Sequence, residues 1–406
     1  MITSKEVLVS LQKQGGLMPQ EEMLEVSRKK GSLYIGVPKE TYFQENRICL
    51  VPEAVALLVS NGHQVVIETN AGKAANFEDK DYSEAGAKIA YTAKEVYEAD
   101  IILKVAPPSE EEIEMLGRKQ TLFSALQMTV QSDNYVKQLM NKKVTAIAYD
   151  YIKDEDGIYP IIRSMSEIAG NTSILIAAEY LSNINNGNGS MFGGITGTSP
   201  TEVVILGAGT VGEFATRAAL GLGAMVKIFD NSVYRLRRLQ SDLATRVFTS
   251  VLQPKVLAKA LKTADVVIGA IRAPKGRTPC VVTEEMVSEM KYGSVVIDIS
   301  IDQGGCFETS RVTNHTNPVF RTHGVIHYCV PNIPSRVSRT ASYALSNVLT
   351  PILVNIGDEG GVENLLRSNS GVRHGVYIYN GILTNQFLGE TFKLPYKDID
   401  LLMAAF

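Results

Sequence analysis

From Leu33 onward, short apolar runs alternate with stretches of helical spacing. Leu33–Val37 reads as a strand, and Pro52–Asn61 as a helix with a proline in its first turn and Gly62 at its end. His63–Glu68 is the next strand. Asp100–Val105, Gln120–Ala125 and Val144–Tyr149 continue the series, with helices between them. A long helix is expected over roughly Ser166–Leu181, followed by an Asn/Gly/Ser-rich loop over 182–200. A second strand series opens at Glu202, and helical spacing returns after about residue 338, over Ala341–Ile356. Strands alternating with helices imply parallel sheets joined by right-handed crossovers. Residues 1–32 are different. Val7, Leu8 and Leu11, then Met23, Leu24 and Val26, are only weakly helical in spacing, and this extension is expected to pack on the surface.

The second series carries the most specific motif. The apolar strand Glu202–Leu206 runs into Gly207-Ala208-Gly209-Thr210-Val211-Gly212, then a helical run to Leu222 and a stop at Gly223. The next strand, Met225–Phe229, ends on Asp230. In a dinucleotide-binding turn the three glycines act differently. Gly207 permits the tight turn, Gly209 lets backbone approach a pyrophosphate, and Gly212 lets helix and strand pack closely. The helix start supplies free N–H groups and partial positive charge to a phosphate. An acid at Asp230 accepts hydrogen bonds from both ribose hydroxyls and repels a 2′-phosphate, so the expected cofactor is NAD rather than NADP. Arg235 and Arg237 follow closely, Arg235 as a candidate cofactor contact and both as residues of a solvated helix face. Val266–Ala270, Val295–Ile299 and Val325–Val330 extend the same sheet, with carboxyl ends facing the ligand crevice. Ile271 follows the first of these strands. The loop Ser300-Ile301-Asp302-Gln303-Gly304-Gly305 follows the second and puts Ile301 and Asp302 where the nicotinamide would lie.

Composition removes several function classes. A chain of 406 residues with 45% hydrophobic and 20% charged content has room for two or three domains. A net charge of -3 gives no footprint for nucleic acid or an anionic membrane. No apolar run reaches the roughly 18 residues of a membrane helix. Lys13, Glu21, Glu22 and Glu25 interrupt any signal-peptide pattern, so a cytoplasmic enzyme is expected. Cys49, Cys280, Cys306 and Cys329 lack metal-ligand spacing and read as reduced core thiols, and no metal is expected.

Over residues 33–400 the chain resembles the alanine dehydrogenase family, whose relative is the NAD-binding component of proton-translocating transhydrogenase. The resemblance rests on Ile35-Gly-Val-Pro-Lys-Glu40, Arg47, Ile102-Leu-Lys-Val105, Met165-Ser-Glu-Ile-Ala-Gly170, the glycine motif, Ile297-Asp-Ile-Ser-Ile-Asp-Gln-Gly-Gly-Cys-Phe-Glu308 and Tyr328-Cys-Val-Pro-Asn332. It implies that Arg47 clamps the substrate carboxylate, a role that suits its planar fork. It implies that Lys104 contacts and polarises the substrate oxygen, and that Asp302 exchanges protons beside the reacting carbon. Ser166 would meet the cofactor pyrophosphate and Asp230 the adenosine ribose. Arg311 and the Val330–Ile333 segment, with Asn332, would line the nicotinamide half. The sequence departs from the pattern after Leu122–Leu126, where the family's catalytic histidine gives way to Gln127. Glutamine orients a substrate but exchanges no proton near neutrality, so Lys104 or Asp302 is left to handle protons, with a lowered pKa expected for a lysine buried beside Arg47. His327 is the one histidine placed near the crevice.

The resulting expectation is an α/β protein of two Rossmann-like domains with parallel sheets and an active site in the cleft between them. Residues 33–165 plus 338–406 form the substrate domain, and 166–337 the NAD-binding domain. The activity implied is reversible NAD-dependent oxidative deamination of L-alanine to pyruvate and ammonium, in a homohexamer whose partners are a small amino acid or 2-oxo acid. The alternatives are a hydride-transfer module resembling the soluble transhydrogenase component, and a dehydrogenase of altered substrate.

Overall fold

Apolar runs without alternation need cover on both faces, and parallel sheets flanked by helices provide it. The computed structural model describes residues 31–127, 131–243, 245–273 and 277–404; the extension expected to pack on the surface lies outside them except for its last two residues. The first strands are β1 (Tyr34–Val37), β2 (Gln64–Glu68), β3 (Lys88–Ala90), β4 (Ile101–Leu103), β5 (Thr121–Ser124) and β6 (Thr145–Ala148). A second group follows as β7 (Glu202–Leu206), β8 (Met225–Phe229), β9 (Phe248–Ser250), β10 (Val266–Gly269), β11 (Val295–Asp298), β12 (Val319–Thr322) and β13 (Val325–Tyr328). The chain then returns to the first group with β14 (Val376–Tyr379) and β15 (Ile382–Leu383).

One sheet has the order β15-β14-β6-β5-β4-β1-β2-β3 and the other β12-β13-β11-β10-β7-β8-β9. Each contains the doubly wound pattern, in which strand order reverses beside the first strand and opens a crevice at the carboxyl ends. In the first sheet that point lies between β1 and β4, in the second between β7 and β10. The expected parallel strands pair in parallel. Both sheets also carry antiparallel additions that the sequence reading lacked: β12 on β13, and β14 with β15 beside β6.

Two long helices carry the chain between the sheets. The first spans Pro160–Leu181, with proline in its first turn, so the expected start at Ser166 moves back to Pro160. Its Gly170 packs so tightly that a Cβ there would lie 2.5 Å from the Val211 carbonyl oxygen. The second spans Ser338–Asp358. It supports the irregular segment after β1: Ile48 N–H donates to Ser342 Oγ and Val51 N–H to Ser346 Oγ, at 3.0 and 3.3 Å. These hydroxyls take the place of the ladder partners that buried amides otherwise need, and they fix the chain on either side of Arg47.

Candidate active site

The glycine motif has the geometry its spacing predicts. Gly207 sits at φ +109°, and a Cβ there would lie 2.4 Å from the Ala270 carbonyl oxygen. At Gly212 an added Cβ would stand 1.9 Å from the Gly207 carbonyl oxygen. At Gly209 it would meet nothing within 4 Å, so the space in front of the turn is open. Thr210 and Val211 begin the helix Thr210–Gly221, whose first amides have no partner within the helix. An open backbone cradle at a helix start fits a dinucleotide pyrophosphate. Asp230 is buried and braces the turn, accepting from Ala208 N–H at 2.8 Å and Ser232 N–H at 2.7 Å. Arg235 Nη1 stands 3.8 Å from its Oδ2. Ser166 lies inside the 160–181 helix, one turn before Gly170, and its hydroxyl donates to the Ile162 carbonyl at 2.7 Å.

The loop after β11 is organised by a buried acid that sequence reasoning passed over. Asp298 accepts from Ser300 N–H, Cys306 N–H and Ser310 Oγ at 3.0, 2.9 and 2.6 Å. This ties both ends of the turn carrying Ile301 and Asp302. Ser300 Oγ in turn accepts from Ile271 N–H at 3.0 Å, which joins the loops after β10 and β11. Asp302 faces solvent in the cleft, with Oδ1 accepting from Asn332 N–H at 3.3 Å. The surrounding protein lifts its pKa to about 6, against the pull of the Asn332 N–H, Arg47 and Arg272. Val330 and Ile333, close to Asn332 in sequence, are buried, and Asn332 adopts a left-handed backbone at φ +56°. The Arg311 guanidinium lies over the Phe320 ring, 4.0 Å from its centroid.

On the opposite sheet, Arg47 is buried, but its fork is already engaged. Nε and Nη2 donate to the two oxygens of Glu45 at 2.7 and 2.6 Å, and Nη1 lies 3.3 Å from the Met165 sulfur. Burial opposes the charge of Glu45, but Arg47's charge and hydrogen bonds outweigh it and hold the carboxyl below its usual range. Lys104 is fully buried at the end of β4, with Nζ 2.8 Å from Glu112 Oε1 and 3.2 Å from Glu40 Oε2. The lowered lysine pKa expected from sequence is corrected here. Burial does push it down, but two carboxylates outweigh burial and raise it. Lys104 therefore stays charged.

Gln127 lies in the segment after β5, with a left-handed backbone at φ +44°. Beside it is an acid the sequence reading missed. Asp150 Oδ1 accepts from Leu126 N–H at 3.3 Å, and burial lifts its pKa to about 6 despite that bond and the charge of Arg272. Arg272 thus acts electrostatically on Asp150 of one sheet and Asp302 of the other. His327 proves to be a core residue. It is fully buried, its ring stacks on Phe320 at 5.0 Å, and Nε2 meets Thr309 Oγ1 at 2.8 Å. Burial drops its pKa to about 4. Cys49, Cys306 and Cys329 are buried thiols as expected, whereas Cys280 is exposed.

The two halves of the site are bonded directly. Asn332 Nδ2 donates to Glu45 Oε2 at 2.8 Å, Asn46 N–H to Ser335 Oγ at 2.9 Å, and His315 N–H to Gln44 Oε1 at 2.6 Å. Among the described residues, no helix is long and apolar enough to cross a membrane.

Comparison with known proteins agrees with this arrangement. Residues 36–169 match the model of the alanine dehydrogenase/PNT N-terminal domain, and 173–386 that of the corresponding C-terminal domain. The chain is 39% identical over 367 residues to alanine dehydrogenase 2 of Staphylococcus aureus (strain USA300), covering 90% of this chain and 98% of that one. Alanine dehydrogenase of Staphylococcus epidermidis (strain ATCC 12228 / FDA PCI 1200) is 40% identical with the same coverage. A solved L-alanine dehydrogenase superposes with a TM-score of 0.83 at 37% identity, over 88% of this chain and 99% of that one. A transhydrogenase from Sinorhizobium meliloti shares the fold, at a TM-score of 0.75 and 23% identity over 87% of this chain and 99% of that one.

Proposed function

The chain belongs to the alanine dehydrogenase/PNT family, and from that membership and the geometry of the cleft we propose that it is an NAD-dependent dehydrogenase of L-alanine. The overall reaction is alanine + NAD+ + H2O ⇌ pyruvate + NADH + NH4+ + H+. The observation that carries this reading is the meeting of Arg47 and Asp302, from opposite sheets, through Glu45 and Asn332. In this reading residues 33–165 with 338–406 form the substrate domain and 166–337 the NAD domain, the boundary falling within the 160–181 helix.

When bound, NAD supplies the hydride acceptor. Gly207, Gly209, Thr210, Val211 and Gly212 hold its pyrophosphate, with Ser166 beside them, and Asp230 and Arg235 take the adenosine end. Ile271, Ile301, Arg311, Val330 and Asn332 line the remainder. Glu45 occupies the side-on edge of Arg47 (Nε and Nη2), which leaves the end-on edge (Nη1 and Nη2) for the substrate carboxylate. Lys104 is a fixed cation. Two of its hydrogens serve Glu112 and Glu40, and the third remains for a substrate oxygen. A lysine held charged accepts no proton, so proton exchange passes to acids whose pKa lies near neutrality. Asp302 has that property on the NAD side and Asp150 on the substrate side. One proton leaves the substrate ammonium before hydride departure. A second leaves the water that adds to the iminium, and one returns to the nitrogen of the carbinolamine. As the C–N bond breaks, the carbinol hydroxyl proton passes to the departing ammonia, which gives pyruvate, ammonium and one net proton. Gln127 orients the substrate by hydrogen bonding. Assembly as a homohexamer, which the family resemblance implies, and a cytoplasmic location are part of this reading.

The test is NADH oxidation with ammonium and a panel of 2-oxo acids. Pyruvate should give the highest kcat/KM. A longer or branched acid turning over faster would replace alanine as the substrate, and no turnover with any would remove the dehydrogenase reading.

A further inference from the structure

Glu45 stands apart in this site. Its carboxylate is fully buried, yet it is neither a cofactor ligand nor a proton donor in the proposed mechanism. It accepts from both nitrogens on one edge of Arg47, at 2.7 and 2.6 Å, and from Asn332 Nδ2 on the opposite sheet, at 2.8 Å. The N–H of the same Asn332 reaches Asp302 at 3.3 Å. A continuous chain therefore runs Arg47–Glu45–Asn332–Asp302 across the cleft. We propose that Glu45 is a positioning residue that turns Arg47 end-on to the substrate carboxylate and ties it, through Asn332, to Asp302.

The geometry leaves little freedom. A guanidinium pinned along its Nε/Nη2 edge cannot rotate about Cζ, so its other edge points one way only. The left-handed backbone of Asn332 aims side chain and N–H at two different carboxylates, a conformation asparagine tolerates better than most residues. The segment is further stapled by Ser335, whose hydroxyl accepts from Asn46 N–H and donates to the Gln44 carbonyl at 2.7 Å. Glu45 also offsets part of Arg47's charge, with which it is paired at 2.6 Å.

The groups around both acids settle the sign of the pH effect. Glu45 faces Arg47, Glu40, His315, Tyr149 and Cys49. Asp302 faces Arg47, Arg272 and Asp298, with the Asn332 N–H. Neutralising Glu45 leaves Arg47 uncompensated, which stabilises ionised Asp302 and moves its titration to lower pH.

The proposal rests on the dehydrogenase reading, and calorimetry separates the two. Pyruvate is titrated into the NADH complex of the wild type, Glu45→Gln and Glu45→Asp. Glu45→Gln should keep NADH affinity within about twofold and weaken pyruvate binding at least roughly tenfold. The acid limb of kcat/KM for alanine should shift to lower pH. Glu45→Asp keeps the charge, so its limb should stay in place while pyruvate affinity falls between the other two. It also serves as the test should Glu45→Gln fail to fold. Wild-type pyruvate affinity in either folded variant, or an unmoved acid limb in Glu45→Gln, overturns the positioning role alone. A wild-type NADH complex that binds no pyruvate overturns that role and the dehydrogenase reading together.

Discussion

Replacing Lys104 with methionine tests whether this lysine is a free catalytic amine or a locked cation. The stem is apolar and of similar length, so what changes is the charge. Nζ lies 2.8 Å from Glu112 and 3.2 Å from Glu40, with no exposed surface. At an effective dielectric near 20, each contact has a gross attraction of about 5–6 kcal/mol. Most of that offsets the desolvation of three buried ions. Removing the lysine alone leaves two buried carboxylates facing each other, and such a break costs about 3–5 kcal/mol. Urea unfolding at pH 8 should show that loss. On the alkaline side the wild-type contribution is fully present below the usual lysine range and fades only as pH rises through the raised folded-state pKa. In the variant, Glu40 loses the cation that holds its burial-raised pKa down and titrates higher still, so the deficit should shrink as pH falls toward 5. Adding Glu112→Gln to Lys104→Met should recover part of the stability at pH 8 and none of the activity. A Lys104→Met protein as stable as wild type at pH 8 would refute the locked-cation account.

Four further outcomes are expected. Arg47→Lys should raise KM for the carboxylate substrate while NAD affinity stays unchanged, because a point charge replaces a planar fork held by Glu45; steady-state kinetics with NADH titration measures both. NAD should bind well ahead of NADP in calorimetry, since Asp230 lies against the turn, and equal affinities would mean that Arg235, 3.8 Å away, neutralises it. Asp302→Asn and Asp150→Asn should each reduce turnover by roughly 10²-fold or more and remove an inflection near pH 6 from the rate profile, whereas Gln127→His should raise activity or move its optimum toward the histidine range. A rate profile unchanged by either asparagine would assign that acid to structure.

The dinucleotide half was legible because its constraints are local. Strand, turn and helix follow one another in sequence, and each glycine answers to a neighbour within that unit. Arg47, Lys104 and Asp302 were legible through the family motifs around them. Their partners were not. Glu112 sits in the run Ser109-Glu-Glu-Glu112, which reads as the solvated first turn of a helix, and Ser109 does cap it. Only the fold brings its carboxylate under Lys104. Asp150 precedes a charged loop and gains its character from the burial that β5 and β6 impose. The antiparallel strands β12, β14 and β15 were missed because two to four residues carry too little periodicity to stand out beside long helices.

The central claim is hydride exchange between the α-carbon of alanine and the cofactor, and isotope tracing tests it most directly. The enzyme is incubated with NAD and alanine deuterated at that carbon, and the products are read by NMR. The account predicts pyruvate and NADH in equal amounts, with the deuterium on the nicotinamide ring, and a slower rate than with unlabelled alanine where hydride transfer limits turnover. NADH free of deuterium, or no pyruvate from an enzyme that still passes hydride between two nicotinamide nucleotides, would contradict it.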